Sequence, residues 1–202
     1  MKTNTTIQKE DWFWRLASLT LGGIILFSIL VSFHYPWQQP LFPNADFEMG
    51  DLTNWGVQGK AFNNQPTYGD NPFYRGRGIS NHQGKYWIGT FENRPTSEAP
   101  KGVGQGDEVT GRLESIDFTI SRDHISFLMG GGNNSKDSGV GLIVNNQQVL
   151  FESAKGQLID SEKMSRVIWD VSPWRGQKAR IVISDNSSTG WGHINADDFR
   201  YS

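Results

Sequence analysis

Two groups of residues in this sequence have the types and spacing for chemistry. The first is acidic. Asp46-Phe47-Glu48 and Asp197-Asp198 supply four carboxylates from opposite ends of one long stretch. Hard oxygen donors in such a cluster suit calcium, which takes six to eight of them. Glu48, Asp197 and Asp198 are the candidate metal ligands, with Asp46 or Asp51 beside them. The competing reading makes these acids solvated strand ends or partners of Arg200. The second group lies between Asp185 and Asn195. Trp191 offers a face for stacking, while Asp185, Asn186, His193 and Asn195 offer hydrogen bonds, the mix expected of a small-molecule site. Glu92 and Arg94, which open a long loop, join this site if that loop lies at the same end. The competing reading is that Trp191 and His193 pack the last strand as architecture.

Catalytic signatures are not visible: the sequence has no nucleophile elbow, zinc-protease helix or triad pattern. Glu92, Glu108, Glu114 and Asp117 show no spacing that favours the paired carboxylates of glycoside chemistry over a solvated surface. Gly130-Gly131-Gly132 has no Gly-Lys-Ser/Thr after it, so it reads as a sharp bend or a close backbone approach rather than a phosphate loop.

The elements that position these groups are strands. Val167, Trp169 and Val171 alternate with polar residues, and Ala179, Ile181 and Ile183 do the same across a Pro173-Gly176 turn. In the last run, Ile194 and Ala196 are out of phase with Phe199 and Tyr201, which is how a bulge at Asp197-Asp198 appears in sequence. Further strands are expected at Asp46–Glu48, Trp55–Val57, Lys85–Phe91, Leu113–Ile120, Ile125–Met129, Val140–Val144 and Val149–Glu152. Asn145-Asn146 makes a hairpin turn between the last two. Ser161 to Met164 hints at a helical turn. Phe62 to Gln83 and Glu92 to Thr110 are long for plain connections and read as functional loops. Many short strands with almost no helix make a two-sheet β-sandwich.

Before the sandwich, Leu16 to Phe33 runs without a charge and, with His34 and Tyr35, reaches the roughly 20 residues that cross a bilayer. Trp12, Phe13, Trp14, Tyr35 and Trp37 flank it as interfacial anchors. Lys2, Lys9 and Arg15 precede it and the next basic residue is Lys60, which places the N-terminus in the cytoplasm and the remainder outside. The expected organisation is a cytoplasmic tail 1–15, an uncleaved transmembrane signal-anchor 16–35, a Pro-rich linker 36–43 and a domain 44–202. The 202 residues, 36% hydrophobic, allow one ordinary domain, and the net charge of -2 argues against nucleic acid as a partner. With no cysteine, disulfides and thiolate metal sites are excluded.

Six stretches in order carry a resemblance: Asp46-Phe47-Glu48 with Gly50-Asp51-Leu52 and Trp55; Gly84 to Glu92; Gly111 to Ser115; Ile125 to Gly132; Val167 to Val171; and Gly190 to Asn195. Together they resemble the galactose-binding-like jelly-roll module that stands beside the catalytic domain of bacterial levanase- and invertase-type glycoside hydrolases. The resemblance spans about Asn44 to Ser202. It implies a jelly-roll β-sandwich with a sugar-facing loop end, without hydrolysis, because the hydrolases' catalytic carboxylates lie in a separate domain. It also implies a structural calcium held between Phe47-Glu48 and Asp197-Asp198. The expected function is non-catalytic binding of a carbohydrate or envelope glycan at the outer side of the cytoplasmic membrane. Docking of a protein partner there is the alternative, and glycoside hydrolysis the remotest.

Overall fold

The computed structural model describes residues 39–133, 137–153 and 161–202. The expected tail, the 16–35 helix and the first three residues of the linker, 36–38, lie outside these residues. Among the described residues no helix is long and apolar enough to cross a membrane.

Eleven strands are described: β1 Trp55–Gly59, β2 Thr67–Tyr68, β3 Tyr86–Gly89, β4 Gly111–Ser115, β5 Phe118–Thr119, β6 His124–Gly131, β7 Gly139–Val144, β8 Gln147–Ser153, β9 Ser161–Asp170, β10 Lys178–Asp185 and β11 Ile194–Tyr201. They form two antiparallel sheets. One runs β1-β4-β10-β7-β8 with β5 also paired to β10, and the other runs β2-β3-β11-β6-β9. The alternation in each strand sends one set of side chains between the sheets. Ile125, Phe127 and Met129 of β6 meet Ile194, Ala196, Phe199 and Tyr201 of β11 there, opposite Val140, Leu142, Ile181 and Ile183. Aromatic rings lock one end of this core: Phe47 stacks on Trp55 at 5.1 Å and Phe127 on Phe199 at 5.2 Å.

The bulge is where the phase shift put it. The β11–β6 register slips between Asp197 and Arg200, and Asp198 takes a φ of 54°. The Asn145-Asn146 turn also forms, both residues with positive φ. Other expectations are corrected. Asp46–Glu48 is a series of turns, not a strand. The Asn44 side chain donates to the carbonyls of Asp51 (3.0 Å) and Thr53 (3.1 Å) and accepts the Met49 N–H, which curls the backbone around it. Ser161–Met164 opens β9 rather than a helical turn, because Glu162 and Met164 point to one face of the sheet with period two. Leu113–Ile120 breaks into β4 and β5, where the Ser115 hydroxyl takes the Ile181 N–H in place of a ladder bond. The linker's last residues belong to the domain: Leu41 and Phe42 are core, and Pro40 bridges to Arg200.

The long segment from Phe62 to Gln83 lies over the outer face of the five-stranded sheet. Ser80 accepts the Met164 N–H (2.8 Å), Asn81 donates to the Met164 carbonyl (3.0 Å), and Gly69 accepts the Trp87 indole N–H (2.8 Å). Beneath it Trp87, Leu128 and Met164 form a second small core. This cover is what builds the site described next.

Candidate functional site

At one end of the sandwich, four segments converge on the start of β11. Asn71-Pro72 begins a 3-10 turn that closes at Gly76, with φ 72°. The turn sends Arg75 inward and leaves Phe73 and Tyr74 outside, 59% and 48% exposed. The Arg75 guanidinium donates to Glu92 and to Glu162 (2.5 Å) and lies 4.4 Å over the Phe91 ring. Asn71 donates to Glu92 (2.6 Å) and to the Val103 carbonyl (2.8 Å), tying the turn to the Glu92–Thr110 loop.

His193 is buried between two carboxylates. Its Nδ1 lies 2.6 Å from Asp107 and its Nε2 lies 3.3 Å from Glu162. Ionised carboxylates only accept, so both ring nitrogens must donate and the ring is an imidazolium. Burial alone would lower its pKa; the bonds and charges of Asp107 and Glu162 outweigh that and raise it to about 9. Burial would likewise push Glu162 up, but His193 and then Arg75 hold it at about 2. Glu92 goes the other way. One guanidinium serves two carboxylates, and burial wins at Glu92, leaving its pKa raised. Asn195, one residue into β11, donates to the Glu162 carbonyl and carboxylate, both at 3.0 Å.

Trp191 is half-buried and stands in the left-handed region at φ 60°, held there by its N–H to Asp107 (3.1 Å). Such a conformation costs on the order of 1–3 kcal/mol in a bulky residue. Its ring lies 5.4 Å from His193, and the Arg77 guanidinium sits 5.3 Å from the ring centroid.

The structure thus brings together Trp191, His193, Asn195 and Glu92. Asp185 is buried beside them within electrostatic reach of His193, and burial raises its pKa to about 6. Asn186 is exposed and bonds instead to the Asp137 carbonyl (3.0 Å). Arg94 does not join the network. It is 4% exposed and donates to the Tyr68 carbonyl (2.9 Å) and to those of Ser97 and Ala99 (both 3.4 Å). His193 as a direct polar ligand contact is also corrected, since its two donors are already spent on Asp107 and Glu162. Arg75, Asp107, Glu162 and Asn71 escaped the sequence reading, as did the exposed Phe73 and Tyr74. The Pro72 and Gly76 that bracket this turn were the available signal.

The acidic cluster is split. Glu48 accepts the Lys85 and Tyr86 N–H groups (2.8 and 2.9 Å), and Asp197 accepts that of Gln83 (2.7 Å). Asp197 Oδ1 is buried with no protein partner, and burial, aided by the charges of Asp198 and Glu48, raises the pKa of this acid well above normal. Asp197 Oδ1 is thus an oxygen that a cation could take, with Glu48 in electrostatic reach of it. Asp198 does not fit a cation, because Arg166 (2.5 Å) and Arg200 (3.3 Å) take its carboxylate. Among the described residues no group of three or more His, Asp or Glu has the arrangement of a metal site.

No family model matches the chain. It is 34% identical over 161 residues to a protein of Aspergillus rugulosus described as a glycosyl hydrolase, ecdE. The match covers 78% of this chain, but the chain spans only about one fifth of that relative's length. Among solved structures it is similar to TmCBM61 in complex with β-1,4-galactotriose, at 16% identity over 80% of this chain and 97% of that one, with a TM-score of 0.49. It is also similar to the K1 cleaved adhesin domain of Lys-gingipain from Porphyromonas gingivalis, at 14% identity over 78% of this chain and 95% of that one, with a TM-score of 0.43. Likeness at this level transfers neither site nor ligand.

Proposed function

We propose that this chain is a non-catalytic carbohydrate-binding β-sandwich, held at the outer side of the cytoplasmic membrane by its 16–35 segment. The observation that carries the binding reading is the Phe73–Tyr74 pair, exposed on a turn that Arg75 rivets to a buried ionic network. Sugar rings stack their C–H faces on aromatic side chains. A platform fixed from beneath loses little entropy when a ligand arrives. The 34% identity to a stretch of a protein described as a glycosyl hydrolase supports the carbohydrate reading, and the fifth of that protein which is matched suits an accessory module. The state of two carboxylates at the loop end supports the non-catalytic reading. Glu92 and Glu162 are buried and bonded to Arg75, so neither can reach a glycosidic oxygen as an acid must.

On a glycan array, the protein should bind, and Phe73→Ala and Tyr74→Ala should each weaken that binding about two- to tenfold, one stacking contact being worth on the order of 0.5–1.5 kcal/mol. Their melting temperatures should stay near wild type, since exposed substitutions usually remain within about 0.5 kcal/mol. Undiminished binding by both variants would remove the platform from consideration.

The membrane reading is supported by the charge asymmetry about residues 16–35. A reporter fused after Ser202 should be active only outside the cytoplasm, and cytoplasmic activity would contradict it. For calcium, Glu48 and Asp197 are the residues that would hold the ion, and its charge would neutralise the buried Asp197. Calcium should then raise the melting temperature by binding the folded state, and Asp197→Asn should abolish the increment. A melt indifferent to calcium and to chelator would exclude the site.

A further inference from the structure

We infer that the loop-end platform selects anionic glycans, those carrying carboxylate, sulfate or phosphate groups. This rests on the glycan-binding reading of the same site and adds to it the chemical class of the ligand. Arg112, Arg166, Arg175, Arg180 and Arg200 each pair with a carboxylate, and Arg75 pairs with two. The cations that rim the aromatic platform are used differently. Arg77 is exposed and presents its guanidinium to the Trp191 ring. Lys101 is exposed and places its ammonium 4.7 Å from the Tyr74 ring centroid. Arg94, almost fully buried, lies 5.1 Å from the Tyr68 ring and 5.6 Å from the Tyr74 ring, and its hydrogen bonds go to carbonyls. None of the three makes an ion pair among the described residues.

Three of the acids at this end are paired with cations, while Asp70, Glu98 and Glu108 meet none among the described residues. Glu92 and Glu162 face Arg75, Asp107 faces His193, and Asp70 accepts the Ser80 N–H. Glu98 and Glu108 stand exposed on the loop, and Glu98 accepts the Ser97 hydroxyl at 2.5 Å. Three cations set against rings, none of them in an ion pair, place positive charge at the rim of the surface where a sugar would stack. Ring faces hold the cations in place without neutralising them. A guanidinium and an ammonium at the edge of a stacking platform can then reach the acidic substituent of a stacked sugar.

The test measures binding of the protein, at low ionic strength, to three matched pairs: polygalacturonate and its carboxyl-reduced form, dextran sulfate and dextran, phosphomannan and mannan. At least one anionic member should bind about tenfold or more tightly than its neutral partner. Arg77→Ala and Lys101→Ala should each reduce that preference about three- to tenfold, and salt should narrow it. The control Arg175→Ala/Lys178→Ala, at the opposite end of the sandwich, should leave it unchanged. Equal binding within every pair, still weakened by Phe73→Ala, would overturn anion selection and leave glycan binding standing. An anionic preference that survives both Arg77→Ala and Lys101→Ala would overturn the assignment to this platform. Binding to none of the six probes would overturn glycan binding as well.

Discussion

His193→Ala should destabilise the protein by about 3–5 kcal/mol, the usual cost of removing one partner from a buried ion pair. The imidazolium is the countercharge for Asp107 and shares Glu162 with Arg75, so its loss leaves buried negative charge in excess. The pH dependence separates this from a simple packing defect. The His193 pKa is raised from 6.5 to about 9, so its contribution is complete below about 6.5 and is lost as the pH rises through 9. The Glu162 pKa is lowered from 4.5 to about 2, so its contribution is complete above about 4.5 and is lost as the pH falls through 2. Both are fully present between those limits. Thermal melts from pH 5 to 9.5 should therefore show wild type losing stability on the alkaline side. His193→Ala should be less stable at pH 5 and nearly flat above 7. An identical alkaline slope in the two proteins would show that the ring is not charged.

Gly132→Ala should be comparably severe, for a reason of backbone geometry alone. A Cβ at this position would lie 1.8 Å from the Trp191 carbonyl oxygen and 2.3 Å from its carbonyl carbon. Both are backbone atoms, so no rotamer change relieves the clash. The close approach is used: the Gly132 N–H donates to the His193 carbonyl (3.1 Å), pinning the Trp191–His193 segment onto the end of β6. We expect a loss of about 3 kcal/mol or more, at the upper end of ordinary single substitutions. Gly190→Ala, whose Cβ would meet nothing within 4 Å, is the matched control and should melt near wild type. Similar melts for Gly132→Ala and wild type would mean that the two backbones do not meet in this way.

The close-approach reading of Gly130-Gly131-Gly132 was available from the sequence, because glycines in a strand without a phosphate-loop context have few other uses. The β11 bulge was legible for a similar reason: a phase error of one residue in a period-two pattern has a single local explanation. The ion network was not. His193 is 86 residues from Asp107 and 31 from Glu162, while Arg75 is 87 from Glu162. Each of these residues, taken in its own sequence neighbourhood, resembles a solvated surface charge. Only the folding of the 62–83 segment and the 92–110 loop against the starts of β9 and β11 brings them together and removes their water. The same folding reversed the weights within the loop end. Trp191 and His193 drew notice as an aromatic beside a titratable group, yet they are held in the frame. Phe73 and Tyr74, between a proline and a glycine within the long 62–83 loop, are what the surface presents. Asp46–Glu48 failed as a strand because one asparagine side chain, Asn44, collects three backbone partners and bends the chain.

The most direct test of the loop-end site is to map, by amide chemical-shift perturbation, where a glycan that scores on the array meets the protein. Among the described residues a competing surface of suitable size is an open groove of about 720 Å³ lined by Trp55, Gln58, Glu114 and Arg180 in the other sheet. If the aromatic platform is the binding surface, perturbations should centre on Phe73, Tyr74, Arg77, Lys101 and Trp191, with Gly56, Gln58 and Glu114 unmoved. Perturbations confined to Gly56, Gln58, Glu114 and Arg180, with Phe73 and Tyr74 silent, would contradict the loop-end site.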